Sequence, residues 1–330
     1  MPEALTFDSG GVPCAAALYR PAPAGAAAPC VVMGHGFTGT QDQLAEHAAG
    51  LAEHGLAVLT FDYRRFGRSG GAPRQIVDAA EQLEDWRAAV RLARSLPGLD
   101  PARTALWGSS LSGLDPARTA LWGSSLSGGH VLRLASEDRR TRAVVAQVPE
   151  FGKGSESTAG EIRVKKQQEH IPLGLLLRTT VRLLAAAVRD ELRGRRGLPP
   201  RCIPVFALPG DVGAIIDPDS DRYLEHAVRT GPSWRNEFAP RLLLHPPVYL
   251  PGTAERVRAP LLVCVAEQDT ETDPRRAARI ARAAPRGEVV TYPVGHFAVY
   301  EDPVRSRVLE DQARFLVRRL RPGAEPAGGR

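Results

Sequence analysis

The sequence predicts an α/β fold: a mostly parallel central sheet covered by helices on both faces, with an inserted helical lid. Three observations carry this. Short apolar runs, "PCVVMG" (29–34), "LAVLTF" (56–61), "TALW" (119–122) and "PLLVCVA" (260–266), have the length and composition of buried strands. Stretches with three-and-four apolar spacing separate them, as parallel crossovers require. The alternation stops near Glu150 and resumes near Ala259, which places roughly a hundred inserted residues inside one core.

Taken in order, "ALTFDS" and "VPCAAALYRP" flank Gly10-Gly11 and read as a hairpin. After the strand "PCVVMGHG", "QLAEHAAGLAEHG" has helical spacing and a glycine stop at Gly55. Beyond "LAVLTFDY", apolar residues at Ile76, Val77, Ala80, Leu83, Trp86, Val90, Ala93 and Leu96 form one helix face. "RTALWG" is a strand, "GGHVLRLASED" a helix and "AVVAQVP" a strand. The insertion opens with the apolar helical stretch "IPLGLLLRTTVRLLAAAVRDEL", then turns proline-rich. "APLLVCVAEQD", "DPRRAARIARAA", "GEVVTYPV" and "PVRSRVLEDQARFLVRRL" complete the alternation as strand, helix, strand and helix. The expected organisation is a first core part over 1–150, a lid over 151–250, a second core part over 251–320 and a disordered tail over 321–330.

One stretch is written twice. Residues 99–113 and 114–128 are identical at every position, "LDPARTALWGSSLSG". After the second copy comes "GHVLRLASED", whose Val131, Leu132 and Leu134 can cover a sheet. After the first, Pro116 falls where a helix would have to run, at a cost of roughly 3 kcal/mol. The second copy is therefore expected to supply the strand and the serine, Ser125. Copy one, with Ser110, is expected to be expelled as an insertion.

Composition sets further expectations. The net charge of +6 comes almost wholly from arginine interleaved with acids, which reads as solvated faces rather than a nucleic-acid stripe. The start "MPEALTFDSGG" lacks the character of a signal peptide, and no long uncharged apolar run is present. A cytoplasmic protein with neither nucleic-acid nor membrane partners is expected, with oligomeric state left open. Cys14, Cys30, Cys202 and Cys264 are scattered without CxxC pairs; Cys30 and Cys264, in strand runs, read as core residues. His47 and His54, seven apart on one helix, read as surface residues rather than metal ligands, and His130 as packed.

The chemistry-bearing residues follow the strands. A serine hydroxyl becomes a useful nucleophile only when a base takes its proton, and the base needs an acid to orient it. Ser125 occupies the centre of Gly123-Ser124-Ser125-Leu126-Ser127, a strand-to-helix turn with small flanks. Asp269 follows "PLLVCVA"; Glu267 and Asp273 compete with it, but Asp273 precedes Pro274 and reads as a helix cap. His296 follows the last strand in "YPVGHF". "MGHGFTGT" supplies a glycine-rich bend in which His35 shapes the chain, while the backbone N–H groups of Phe37 and Leu126 could face a developing oxyanion. Asp62 and Ser69 read as fixing a turn.

With these motifs, "FDYRRFGRSGG" (61–71), "WGSSLSGGH" and "SWRNE", the sequence resembles the α/β-hydrolase superfamily over essentially its whole length, and within it a bacterial group with an inserted lid. The resemblance implies Ser125, Asp269 and His296 as a catalytic triad and the insertion as a lid. The expected activity is that of a serine hydrolase cleaving a carboxylic ester or related acyl bond of a small molecule, with no cofactor and no metal. An aminopeptidase or thioesterase on the same triad, and a catalytically inactive binding protein of this fold, are the alternatives. Leu173, Leu175, Leu176, Leu177, Val181, Leu183, Leu184 and Val188 are expected to cover an apolar acyl pocket.

Overall fold

The computed structural model describes residues 1–22, 28–96, 99–107, 120–137, 141, 143–151, 173–208, 210–216, 220–246 and 249–320. Tail residues 321–330, and with them the expectation of disorder there, lie outside the described residues. So does Ser110.

A nine-stranded sheet runs β1-β2-β4-β3-β5-β6-β7-β10-β11. β1 (Glu3–Ser9) and β2 (Val12–Tyr19) form the expected hairpin around Gly10 and Gly11, whose positive φ angles of 60° and 82° suit the tight turn. β2 runs antiparallel to β4 (Ala57–Phe61), and from there every pairing is parallel. β3 (Ala28–Gly34), β4, β7 (Ala143–Gln147) and β10 (Leu261–Ala266) are buried almost throughout, as continuous apolar runs covered on both faces should be. β11 (Gly287–Tyr292) closes the far edge.

Helices α1 (Ala45–Glu53), α2 (Ala79–Ser95), α3 (Leu126–Glu137), α6 (Pro274–Ala283) and α7 (Val304–Leu320) cover the sheet. α2 starts three residues later than the apolar spacing predicts. Asp78 accepts the N–H groups of Ala80 and Glu81 at 2.9 and 3.0 Å and caps the helix there, leaving Ile76 and Val77 in the approach. Asp273 caps α6 in the same way, through Arg275 and Arg276 N–H, so it is removed as a rival to Asp269.

The repeat departs from expectation. Copy one is not expelled: Leu99–Trp107 forms β5, between β3 and β6 (Ala120–Ser124). Leu106 and Trp107 align with Leu121 and Trp122, so the two copies stand side by side in equivalent register. The reason is that both copies carry the same strand-forming run. An interior slot pairs its backbone on both edges, whereas an expelled loop would leave an apolar run in water. Copy two leads directly into α3, as expected; the chain that follows β5, with Pro116, lies outside the described residues.

The insertion between β7 and β10 contains α4 (Leu173–Arg195), the short strands β8 (Phe206–Ala207) and β9 (Ile215–Ile216), and α5 (Ser220–Thr230). Val205, Ala227, Trp234 and Phe238 make its own small core. Asn236 of "SWRNE" clasps it, accepting Val205 and Phe206 N–H at 3.0 and 2.8 Å and donating to the Phe206 carbonyl. Gln75 ties the unit to the main core through Glu237 O and Ala239 N.

α4 does not sit as expected. Asp190, fully buried, accepts two bonds from the Arg241 guanidinium at 2.7 and 3.0 Å and one from Arg201 N–H at 2.8 Å. That fixes the Thr179–Ala187–Asp190 face inward and turns Leu177, Val181, Leu184 and Val188 outward. These four leucines and valines therefore do not line a pocket; Leu183 is half-buried, and the side chains of Leu173, Leu175 and Leu176 lie outside what is described. His47 is the other correction: with Ala48, Leu51 and Ala52 it lies on the buried face of α1, its ring 5.9 Å from that of Trp122. Burial pushes its pKa down to about 4. His54 is on the outside, against Glu310. Cys30 and Cys264 are buried free thiols, pushed by burial up to about 12 and about 11. Among the described residues no helix is long and apolar enough to cross a membrane.

Candidate active site

The residues singled out from the sequence collect at the carboxyl ends of β3, β6, β10 and β11, where open parallel sheets place their sites. Ser125 sits between β6 and α3 with φ +49°, a left-handed conformation costly for a non-glycine residue and therefore one that the surroundings must impose. They do so by hydrogen bonds: Ser125 N–H donates to Gln147 O, and its carbonyl accepts from Gly128 N–H and Glu150 N–H, all within 2.8–2.9 Å. Gly123 is required by close approach, since a Cβ there would lie 2.3 Å from Ser127 O.

The doublet Ser124-Ser125 poses a choice that the structure makes legible. Ser124 ends the strand, and its buried hydroxyl meets Tyr300 OH at 2.6 Å and Gln147 Nε2 at 3.3 Å. Ser125 follows at the tip of the turn, only partly buried. Its successor Leu126 begins α3, so the Leu126 N–H belongs to the helix turn that has no partner within the helix, at the positive end of the dipole. Gly36, in the bend after β3, comes close to the same place: a Cβ on it would stand 3.8 Å from Ser124 O. Phe37 follows it, half-buried, with its ring edge-on to Phe238 at 5.1 Å.

Asp269 and His296 meet directly. His296 Nδ1 donates to Asp269 Oδ2 at 2.8 Å, with both side chains at most 4% exposed. The carboxylate is further held by Glu271 N–H, Thr272 N–H and Thr272 Oγ1, each at 2.8 Å. Burial by itself would raise the Asp269 pKa, but the neighbouring His296 and these donors outweigh it and hold the carboxyl below its ordinary range. Burial would likewise lower His296; Asp269, with Glu271 and Glu150 beyond it, outweighs burial and raises it. With Nδ1 donating to Asp269, Nε2 carries the lone pair that could accept a proton.

Tyr300 joins the two halves. It lies one short turn (Phe297–Tyr300) beyond His296, its ring 6.3 Å from the imidazole, while its hydroxyl reaches Ser124. The chain of contacts continues inward: Gln312 Nε2 donates to Gln147 Oε1 at 2.7 Å, and Trp122 Nε1 donates to Gln312 Oε1 at 2.9 Å. Tyr300, Gln147, Gln312 and Thr272 were not singled out from the sequence. Tyr300 had one available signal, its i+4 spacing from His296 in "HFAVY"; Thr272 had its position three after Asp269, the reach of an Asx turn.

The supporting residues behave as expected. His35 Nδ1 lies 3.0 Å from Gly36 O and its Nε2 accepts Tyr63 N–H, which fixes one neutral tautomer; burial lowers its pKa. It shapes the bend. Asp62 accepts both the backbone and side-chain N–H of Gln41 and the Arg68 N–H, and Ser69 Oγ links Asp62 O to Ala15 N–H. These two fix the turn between β4 and α2. His130 falls in α3, with its side chain outside what is described.

The profile of the Alpha/beta hydrolase family matches residues 31–306. The chain belongs to this family. It is 35% identical over 319 residues to the quorum-quenching protein AidA of Acinetobacter baumannii, covering 96% of this chain and 95% of that one. A thiohydrolase, aneE, of Aspergillus aculeatus is 43% identical over 83 residues, a quarter of this chain. The crystal structure of the alpha/beta hydrolase GrgF from Penicillium superposes with a TM-score of 0.70 at 20% identity, covering 97% of this chain and 99% of that one, which shows the shared fold. Family and relatives together support hydrolase activity, and the sheet of this chain holds the first copy of the repeat as an interior strand.

Proposed function

We propose that the protein is a serine hydrolase that cleaves a carboxylic ester or related acyl bond of a small molecule. The observation that carries this reading is the strained, left-handed Ser125 at the start of α3, tied through Ser124 and Tyr300 to the turn that holds the Asp269–His296 pair. In the first step His296 Nε2 takes the Ser125 hydroxyl proton while Oγ bonds to the acyl carbon. Charge then develops on the carbonyl oxygen, where the N–H groups of Phe37 and Leu126 would stabilise it. The C–O bond to the alcohol breaks, and the proton passes from His296 to the departing oxygen. Water, deprotonated by His296, repeats the sequence and releases the acid. Asp269 holds the imidazole tautomer and stabilises its charged form.

An aromatic wall favours an apolar acyl group. Phe206 of the insertion lies 5.5 Å from Phe297, next to His296, and Tyr223 lies 4.3 Å from the same ring. Phe37 packs on Phe238 in the same small core as Phe206. On this reading Phe206, Tyr223 and Phe238 of the insertion act as the lid, rather than α4. The similarity to a quorum-quenching protein along nearly the whole chain favours a signalling molecule with an acyl bond as the natural substrate.

The test is a series of p-nitrophenyl esters from acetate to decanoate with wild type and Ser125→Ala. Hydrolysis with a medium-chain optimum, lost in the variant, supports the reading. Turnover that survives in Ser125→Ala, or none with any ester, overturns it.

A further inference from the structure

Helix α4 carries an apolar stripe that faces solvent. Leu177, Val181, Leu184, Val188 and Leu192 are spaced four, three, four and four apart and so share one face. Their exposures are 64, 57, 50, 48 and 47%. The outward orientation is held by the opposite face, where buried Asp190 is locked to Arg241 and to Arg201 N–H. Along one flank of the stripe run Arg178, Arg182 and Arg189, all exposed, with Arg182 spending one N–H on Gly210 O. Five arginines stand against two acids in this helix, and both acids are engaged: Asp190 inward, and Glu191 with Arg195 and His245.

We infer that α4 is an interfacial helix that docks the protein on an anionic lipid surface. An apolar stripe bordered by arginine, on a helix with low overall hydrophobicity, is the pattern of a helix lying in the plane of a bilayer boundary. The charge decides the occupant. Anionic head groups complement the arginine flank. A second copy packed antiparallel would bring two rows of the same sign together, and in either orientation five half-exposed side chains fall short of the roughly 800 Å² per partner that a stable dimer buries. This departs from the sequence expectation of no membrane partner; the chain would lie on the surface, not cross it. The inference does not depend on the catalytic reading.

The experiment is co-sedimentation of the full chain with vesicles of phosphatidylcholine alone and of phosphatidylcholine with 30% phosphatidylglycerol. Two variants accompany it: Leu177→Ser/Val181→Ser/Leu184→Ser, and Arg178→Gln/Arg182→Gln/Arg189→Gln. Because every substituted side chain points outward, circular dichroism of both variants should match wild type. Wild type should bind the anionic vesicles in a salt-sensitive way and the neutral ones far less. The arginine variant should lose on the order of a hundredfold in partitioning, and the stripe variant should not sediment. Wild type that ignores anionic vesicles, or a stripe variant that binds like wild type, overturns the inference. So does a wild-type dimer that the stripe variant converts to monomer, which would assign the face to a second copy.

Discussion

Tyr300→Phe removes one oxygen from the strut between the Ser125 turn and the turn that carries His296. In the native arrangement Ser124 Oγ meets Tyr300 OH at 2.6 Å and keeps a second partner, Gln147 Nε2, at 3.3 Å. The variant therefore leaves no orphaned serine hydroxyl, and its cost is the net value of one hydrogen bond, about 0.5–1.5 kcal/mol. That contact spans the two turns that carry Ser125 and His296, so under the proposed mechanism the loss should appear in the barrier rather than in binding. Converted to rate, kcat falls roughly two- to tenfold with KM unchanged. Ser124→Ala breaks the same contact from the other side. The two substitutions together should cost little more than either alone, a coupling of at least about 0.5 kcal/mol. Steady-state kcat and KM with p-nitrophenyl butyrate for wild type, both singles and the double close the cycle. Single effects that simply multiply, or an unchanged kcat with a raised KM, would refute the positioning argument.

Three further outcomes follow from particular contacts. The base form of His296 is the neutral one and its pKa is raised above 6.5 by Asp269 and the glutamates beyond it, so kcat/KM should fall on the acid side with a midpoint above pH 6.5; Glu150→Gln should move that midpoint down, and a pH–rate profile with no movement contradicts the assignment. Asp190→Ala leaves the Arg241 guanidinium without its buried partner and should destabilise the insertion by about 3–5 kcal/mol; faster tryptic cleavage within α4, with a lowered Tm, checks it. Deleting 99–113 gives the same 315-residue chain as deleting 114–128, and it should fold with Ala120–Trp122 beside Val31–Met33, where the identical run of β5 now pairs. Its Tm should be at least that of the full chain and its ester turnover equal or greater; a misfolded or inactive product would show that the second strand has become structural.

Much of this fold was legible because buried parallel strands advertise themselves: "VVMG", "LLVCVA" and "AVVAQV" have no polar face to hide. Asp269 and His296 were legible because each lies in the loop just beyond a late strand, and the structure brings them to 2.8 Å; Glu267, the acid nearest the strand end, is exposed. Three things were not. The fate of the repeat depended on whether a sheet could accept an extra strand, a question of neighbours and not of local propensity. His47 looked exposed because its helix is short and alanine-rich, yet its position four before Leu51 puts it on the inner face. The outward turn of α4 depends on Asp190 finding Arg241, fifty-one residues away, and no spacing rule reports such a partner.

Ser125, and neither Ser124 nor the copy at Ser110, is proposed as the nucleophile. Labelling with a serine-directed fluorophosphonate followed by tryptic peptide mapping tests it most directly, because the two copies release different peptides, "TALWGSSLSGGHVLR" (119–133) and "TALWGSSLSGLDPAR" (104–118). The adduct should lie on the first peptide, with fragment ions placing it at Ser125, and should vanish in Ser125→Ala and in His296→Ala. An adduct on the 104–118 peptide, an adduct at Ser124, or unlabelled protein that still hydrolyses esters would contradict the account.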